Sequence, residues 1–101
     1  MNVQTDYECR ITVPLRDAGK AEAVARKRSD YWATSQIDGD PVLGDAVHYY
    51  LTAHDHAFYS IFGRMKSLKA ELVEAGVEVL RLKIEQIVYD SRRAAGSAAH
   101  G

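Results

Sequence analysis

His54, Asp55 and His56, with Tyr59 just beyond, form the densest group of acid–base and metal-ligating side chains in the chain. An imidazole that titrates near neutrality can shuttle protons or ligate zinc, but a zinc site needs three or four converging ligands. His48 cannot supply one. At roughly 3.3 Å per residue of strand it stands about 20 Å from His54. The aspartates 38, 40 and 45 lie at the far end of that same strand, and Asp55 stands where a helix cap belongs. The expectation is surface histidines at a strand–helix junction, with no metal bound.

Asp38-Gly39-Asp40-Pro41 has some flavour of a calcium loop. An EF-hand, however, needs ligands at positions 1, 3 and 5, Gly at 6 and Glu at 12, and the spacing fails after the first two. A turn rich in Asp, Gly and Pro is the plainer reading. Arg26, Lys27 and Arg28 close one helical segment, and Arg92 and Arg93 follow the last strand. With His54 and His56 they can gather beside the N-terminus of the long helix, where unpaired N–H groups favour anions. Arg26, Arg28, His54, His56 and Arg92 are thus a candidate site for a phosphate or carboxylate ligand, or for an enzyme acting on one. The ordinary alternative is that these cations complement the C-terminal end of the first helix. No glycine-rich phosphate loop, G-x-S-x-G elbow or H-E-x-x-H sequence is present, so no catalytic residue and no cofactor is assigned.

The elements that must position these residues follow from hydrophobic periodicity. Tyr7, Cys9, Ile11, Val13 and Leu15 alternate with Glu8, Arg10, Thr12 and Pro14, as in a strand with one buried face, and Pro14 marks its last pairing position. Cys9, the single cysteine, cannot form an internal disulfide and reads as a small buried residue. Asp17 is an N-cap candidate for a helix with the thin stripe Ala18, Ala21, Val24, Ala25. Residues 31–37 read as a short strand that buries either Trp32 and Thr34 or Tyr31, Ala33 and Ile37. Residues 46–54 make a clear strand. Asp55 then caps the longest helix, whose stripe is Phe58, Ile61, Phe62, Met65, Leu68 and Leu72, and Gly76 ends it. Residues 77–90 change phase twice, which suggests a bulge or bend.

The order β-α-β-β-α-β predicts an α+β fold of the ferredoxin-like kind: a four-stranded antiparallel sheet, strand order four, one, three, two, with both helices on one face. One domain spans residues 1–90. Residues 91–101 have nothing to bury and read as a disordered tail. The chain has 101 residues, with 13 basic against 14 acidic side chains, a balance that argues against a protein that coats duplex nucleic acid. That near-neutral sum can hide an acidic edge (Asp17, the aspartates 38, 40 and 45, Glu78) and a basic one. Residues 1–6 are polar and lack the pattern of a signal peptide, and no apolar run is long enough to span a membrane. A soluble cytoplasmic protein is expected.

The sheet face away from the helices should expose Glu8, Arg10, Thr12, His48, Tyr50, Thr52, Arg81, Lys83 and Glu85, with cross-strand charge pairs among them. An RNA platform would want two or three aromatics there and its own strand motif. Tyr50 stands alone and the motif is missing, which leaves RNA binding the weakest alternative. A bare sheet face with a long edge strand more often meets another copy of itself. Tyr50, His48, Arg10 and Lys83 are the candidate interface, with Tyr31 or Trp32 and Tyr89 as further aromatic anchors.

Residues 40–44 (Asp-Pro-Val-Leu-Gly), Tyr49-Tyr50-Leu51-Thr52, and Lys83-Ile84-Glu85 with Val88-Tyr89-Asp90 resemble a small family of uncharacterised bacterial and phage proteins of about this length. The resemblance spans roughly residues 7 to 91. It implies a stand-alone domain and brings no activity, cofactor or catalytic residue. The expected function is a small non-enzymatic interaction or ligand-binding domain that pairs with itself through its sheet.

Overall fold

A computed structural model describes residues 3–37 and 46–90. Strand β1 (Val3–Pro14) passes through a 3-10 turn (Leu15–Asp17) into helix α1 (Ala18–Arg26). Strands β2 (Ala33–Ile37) and β3 (His48–Asp55) follow, then helix α2 (Phe58–Glu74) and strand β4 (Arg81–Asp90). All strand pairs are antiparallel and the sheet order is β2-β3-β1-β4, which read from β4 is the expected order. The Asp-rich turn at 38–45 and the tail at 91–101, Arg92 included, lie outside the described residues.

The two helices pack on each other, α2 lies over β1 and β3, and α1 reaches β1. Every second residue of the central strands therefore enters one core: Cys9, Ile11 and Val13 from β1, and Tyr49, Leu51 and Ala53 from β3. Ala21 and Ala25 of α1 and Ile61, Met65, Leu68 and Leu72 of α2 close it from above. The open question in β2 resolves toward Trp32 alone: Thr34 shares the face turned to the helices but is itself exposed, and Ala33 is half-buried. Thr34 stands opposite the core residue Leu51, and Trp32 is buried whereas Tyr31 is 78% exposed.

Both expected helix caps are used differently. Asp17 holds the N-cap position of α1 without capping it; its Oδ2 instead accepts the Glu78 N–H at 3.1 Å, tying the start of α1 to the chain that leads into β4. Asp55 accepts the Ala57 N–H at 3.2 Å and the Ser60 hydroxyl, so α2 begins at Phe58 rather than directly after Asp55. At the other end Gly76 takes φ +82°. Val77 N–H then donates to Leu72 O at 2.9 Å and Gly76 N–H to Val73 O at 3.0 Å, the paired bonds of a Schellman stop.

No bulge interrupts β4, contrary to expectation. One unbroken register pairs it with β1 from Thr12–Arg81 to Val3–Asp90. The apparent first slip arises because Val77 and Val79 precede the strand. The second arises because β1 and β4 continue as a two-stranded ribbon past the last β3 pairing at Tyr7–Asp55, where neither face is committed to the core.

Candidate functional site

The histidine triplet does not converge. Strand alternation turns His54 to the sheet face away from the helices, where its Nδ1 meets Asp6 Oδ2 at 2.8 Å and its Nε2 meets Glu8 Oε2 at 3.4 Å. His56 Nδ1 lies 3.4 Å from Thr5 O, and Tyr59 is 86% exposed. Asp55 is engaged by Ser60 and Ala57, and those hydrogen bonds hold its pKa below the usual carboxylate range. Among the described residues no three His, Cys, Asp or Glu side chains are placed to hold a metal ion.

Of the expected basic edge, Arg26 and Arg28 are described and already matched. Arg26 pairs with Glu22 at 2.7 Å, while Arg28 reaches Asp30 at 2.7 Å and Glu71 at 2.8 Å. The hub is Asp30, which sequence reasoning missed together with Arg64. Asp30 accepts from Arg28, from Trp32 Nε1 at 3.1 Å and from Arg64 Nε at 3.0 Å. Arg64 also donates to His54 O at 3.0 Å and Tyr31 O at 2.8 Å, and its guanidinium lies over the Trp32 ring at 5.5 Å. Burial pushes the Asp30 carboxyl up, but the hydrogen bonds from Arg28, Arg64 and Trp32 outweigh it and hold the pKa at about 2. One signal for this hub was available. Arg64 falls between Ile61 and Leu68 on the apolar stripe of α2, and a charge there needs a partner. A cleft of about 570 Å³ between α1 and β2 is lined by Glu22, Arg28, Asp30, Trp32 and Thr34 among others. Its charged lining is consumed by these pairs, and Glu22 also accepts from Tyr49 Oη at 2.8 Å.

The far sheet face corrects the expected interface. Tyr50 and Thr12 are each 1% exposed and His48 is buried, so neither Tyr50 nor His48 is a free anchor. Tyr50 sits on an interior strand between Thr12 and Ser35, with the Arg10 guanidinium over its ring at 5.2 Å. His48 Nδ1 and Arg10 Nε have no hydrogen-bond partner. Arg10 and Lys83 remain partly exposed. Direct cross-strand pairs do not form among Glu8, Arg10, Lys83 and Glu85. The register sets Arg10 opposite Lys83 and Glu8 opposite Glu85, like against like. The ion pairs run along each strand instead, Arg10–Glu8 at 3.6 Å and Lys83–Glu85 at 2.7 Å.

The α2 stripe proves wider than the core it covers. Phe58 and Phe62 stay 41% and 38% exposed, stacked on each other with centroids 5.8 Å apart. Phe58 meets the edge of Tyr7 at 5.7 Å, and Lys66 lies over Phe62. Arg64 and Glu71 mark the flank of α2 that is tied to α1 and its following loop, and the phenylalanines occupy the opposite flank, toward β4. There Leu82 and Ile84 are only partly buried and Val88 is exposed. Cys9 is fully buried, and burial pushes its thiol up to about 12.

No family model matches the chain, and no curated protein matches it. Among solved structures it is similar to a de novo designed protein, Foldit4, at 9% identity, with 89% of this chain and 99% of that chain covered and a TM-score of 0.40. No helix of the described residues is long and apolar enough to cross a membrane.

Proposed function

We propose that this chain is a small non-enzymatic interaction domain of the ferredoxin-like kind that acts as a homodimer through its sheet, in the cytoplasm of a bacterium or its phage. The observation that carries this reading is β4. It is ten residues long and lies at the sheet edge, with β1 as its strand partner on one side. Such an edge presents a row of backbone donors and acceptors that another strand can pair. Its inner face is half covered, because α2 lies over β1 and β3 and turns Phe58 and Phe62 toward the gap. Burial of Tyr50 and His48 moves the proposed contact from the sheet face to the sheet edge. The anion-ligand alternative has less support, since Arg26, Arg28 and His54 each already face carboxylates. RNA binding across the sheet loses its one aromatic, Tyr50.

Light scattering coupled to size exclusion tests the reading. The expected result is a species of twice the 11.2 kDa chain mass at micromolar concentration, which Phe62→Asp converts to monomer with unchanged circular dichroism. A wild-type monomer throughout the micromolar range overturns it.

A further inference from the structure

We infer that two copies join β4 to β4 antiparallel about a two-fold axis at Ile84, so that Lys83 of each chain faces the second copy's Glu85. This deepens the homodimer reading and rests on it. Within one chain β4 has the wrong neighbours on its inner side, since Lys83 stands opposite Arg10 and Glu85 opposite Glu8. Like charges directly across a ladder are unfavourable. Lys83 and Glu85 are paired with each other along the strand at 2.7 Å, and Arg10 attracts Glu85 only diagonally, so neither has an opposite charge directly across a ladder. A second β4 on the outer side supplies both at once, and two-fold symmetry makes the pair twice.

Symmetry restricts the choice of register. If the two sheets continue as one with all helices on the same side, opposed residues must share a face, so the axis passes through a residue that meets its own copy. At Ile84 that residue is apolar and faces the helix layer beside Cys9. Arg81 through Ile87 then pair with Ile87 through Arg81 of the second copy, all within β4. An axis at Lys83 pairs Arg81 with the second copy's Glu85, but it sets Lys83 against Lys83 and shortens the ladder. An axis at Glu85 sets Glu85 against Glu85.

The same axis gives the exposed phenylalanines a role. With α2 over β1 and β3, the two α2 helices are separated by three to four strand spacings, about 14–19 Å. Helices in direct contact pack at about 8–10 Å. The remaining gap needs large apolar side chains from both sides, and the β4 flank of α2 offers Phe58 and Phe62 above the half-buried Leu82 and Ile84.

Charge reversal tested in trans separates this register from dimerisation as such. Lys83→Glu places glutamates against glutamates across the axis, and Glu85→Lys places lysines against lysines. Each variant alone is expected to dissociate about tenfold more readily than wild type. Mixed in equal amounts they form a heterodimer of wild-type affinity, because every pair across the axis is again opposite while the pairs within each chain are the same before and after mixing. An isotope-filtered NOE experiment on mixed labelled and unlabelled wild-type protein gives a readout that needs no variant, and Ile84–Ile84 contacts between chains are expected. A dimeric wild type whose variants are not rescued on mixing, or whose interchain contacts centre on Lys83 or Glu85, overturns the register and leaves the homodimer reading standing. A monomeric wild type overturns both.

Discussion

Replacing Asp30 by asparagine removes the charge on which the α1–β2 connection is hung. The carboxylate accepts Arg28 Nε at 2.7 Å and Nη2 at 3.1 Å, Trp32 Nε1 at 3.1 Å and Arg64 Nε at 3.0 Å. Against burial, which raises it, these donors lower its pKa from 3.8 to about 2. At about 1.4 kcal/mol per pKa unit the full shift would correspond to about 2.5 kcal/mol. Solvent around a side chain that is 20% exposed reduces this to about 1–2 kcal/mol. Asp30→Asn is therefore expected to lose about 1–2 kcal/mol at pH 7, seen as a fall of about 1 M in the urea midpoint for a domain of this size. The sign with pH follows from a folded-state pKa below the unfolded one. The contribution is complete above about pH 5 and is lost as pH falls through 3.8 toward about 2, where the wild-type carboxyl becomes neutral as the variant's amide already is. Urea titrations of both proteins from pH 7 down to pH 3 should show the gap closing. A gap below about 0.5 kcal/mol at pH 7, or one that does not narrow with acid, refutes the account of Asp30 as a charge-matched hub.

Three further outcomes are expected. Cys9, buried and with its thiol pushed up to about 12, should resist a thiol-specific reagent at pH 8 in the native protein and react fully in denaturant, as absorbance titration would show. Gly76→Ala should cost about 1–2 kcal/mol by thermal or urea unfolding, because φ +82° is strained for a residue with a Cβ; the added carbon would meet Lys20 Nζ at 3.8 Å, an ordinary contact, so backbone rather than crowding sets the loss. Tyr50→Glu should destabilise each chain by about 3 kcal/mol or more in denaturant titration, and a variant as stable as wild type would contradict the burial of this ring.

Period and turn chemistry carried most of the architecture. The alternation of Cys9, Ile11 and Val13 and of Tyr49, Leu51 and Ala53, the helical spacing of Ile61, Met65, Leu68 and Leu72, and the stop at Gly76 all survive folding because each is a local pattern that tertiary packing reinforces. Features that depend on register were not legible. Alternation places Lys83 and Glu85 on the same face as Arg10 and Glu8, but which residue stands opposite which is set by how β1 and β4 slide, and the pairing turned out like against like. Edges were illegible for a related reason. Phe58 and Phe62 fit the apolar stripe of α2 as well as Ile61 does, and nothing local reveals that the helix lies over β1 and β3 and leaves them beside an edge strand.

The near-balance of 13 cations and 14 anions takes on meaning at this level. At the α1–β2 connection Arg28 and Arg64 are matched to Asp30 within one chain, so their charges hold the fold and leave little field for an anionic ligand. On the face away from the helices Arg10, Glu8, Lys83 and Glu85 also sum to zero, yet the register sets no opposite charges directly across from each other between β1 and β4. Equal totals therefore hide two different arrangements, one closed within a chain and one that an antiparallel copy of β4 would close. The distinction has a measurable consequence in salt. Screening at an ionic strength near 1 M, where the Debye length is about 3 Å, should weaken dimerisation through Lys83 and Glu85 far more than it weakens the Asp30 hub, whose partners are in direct contact and mostly shielded from solvent.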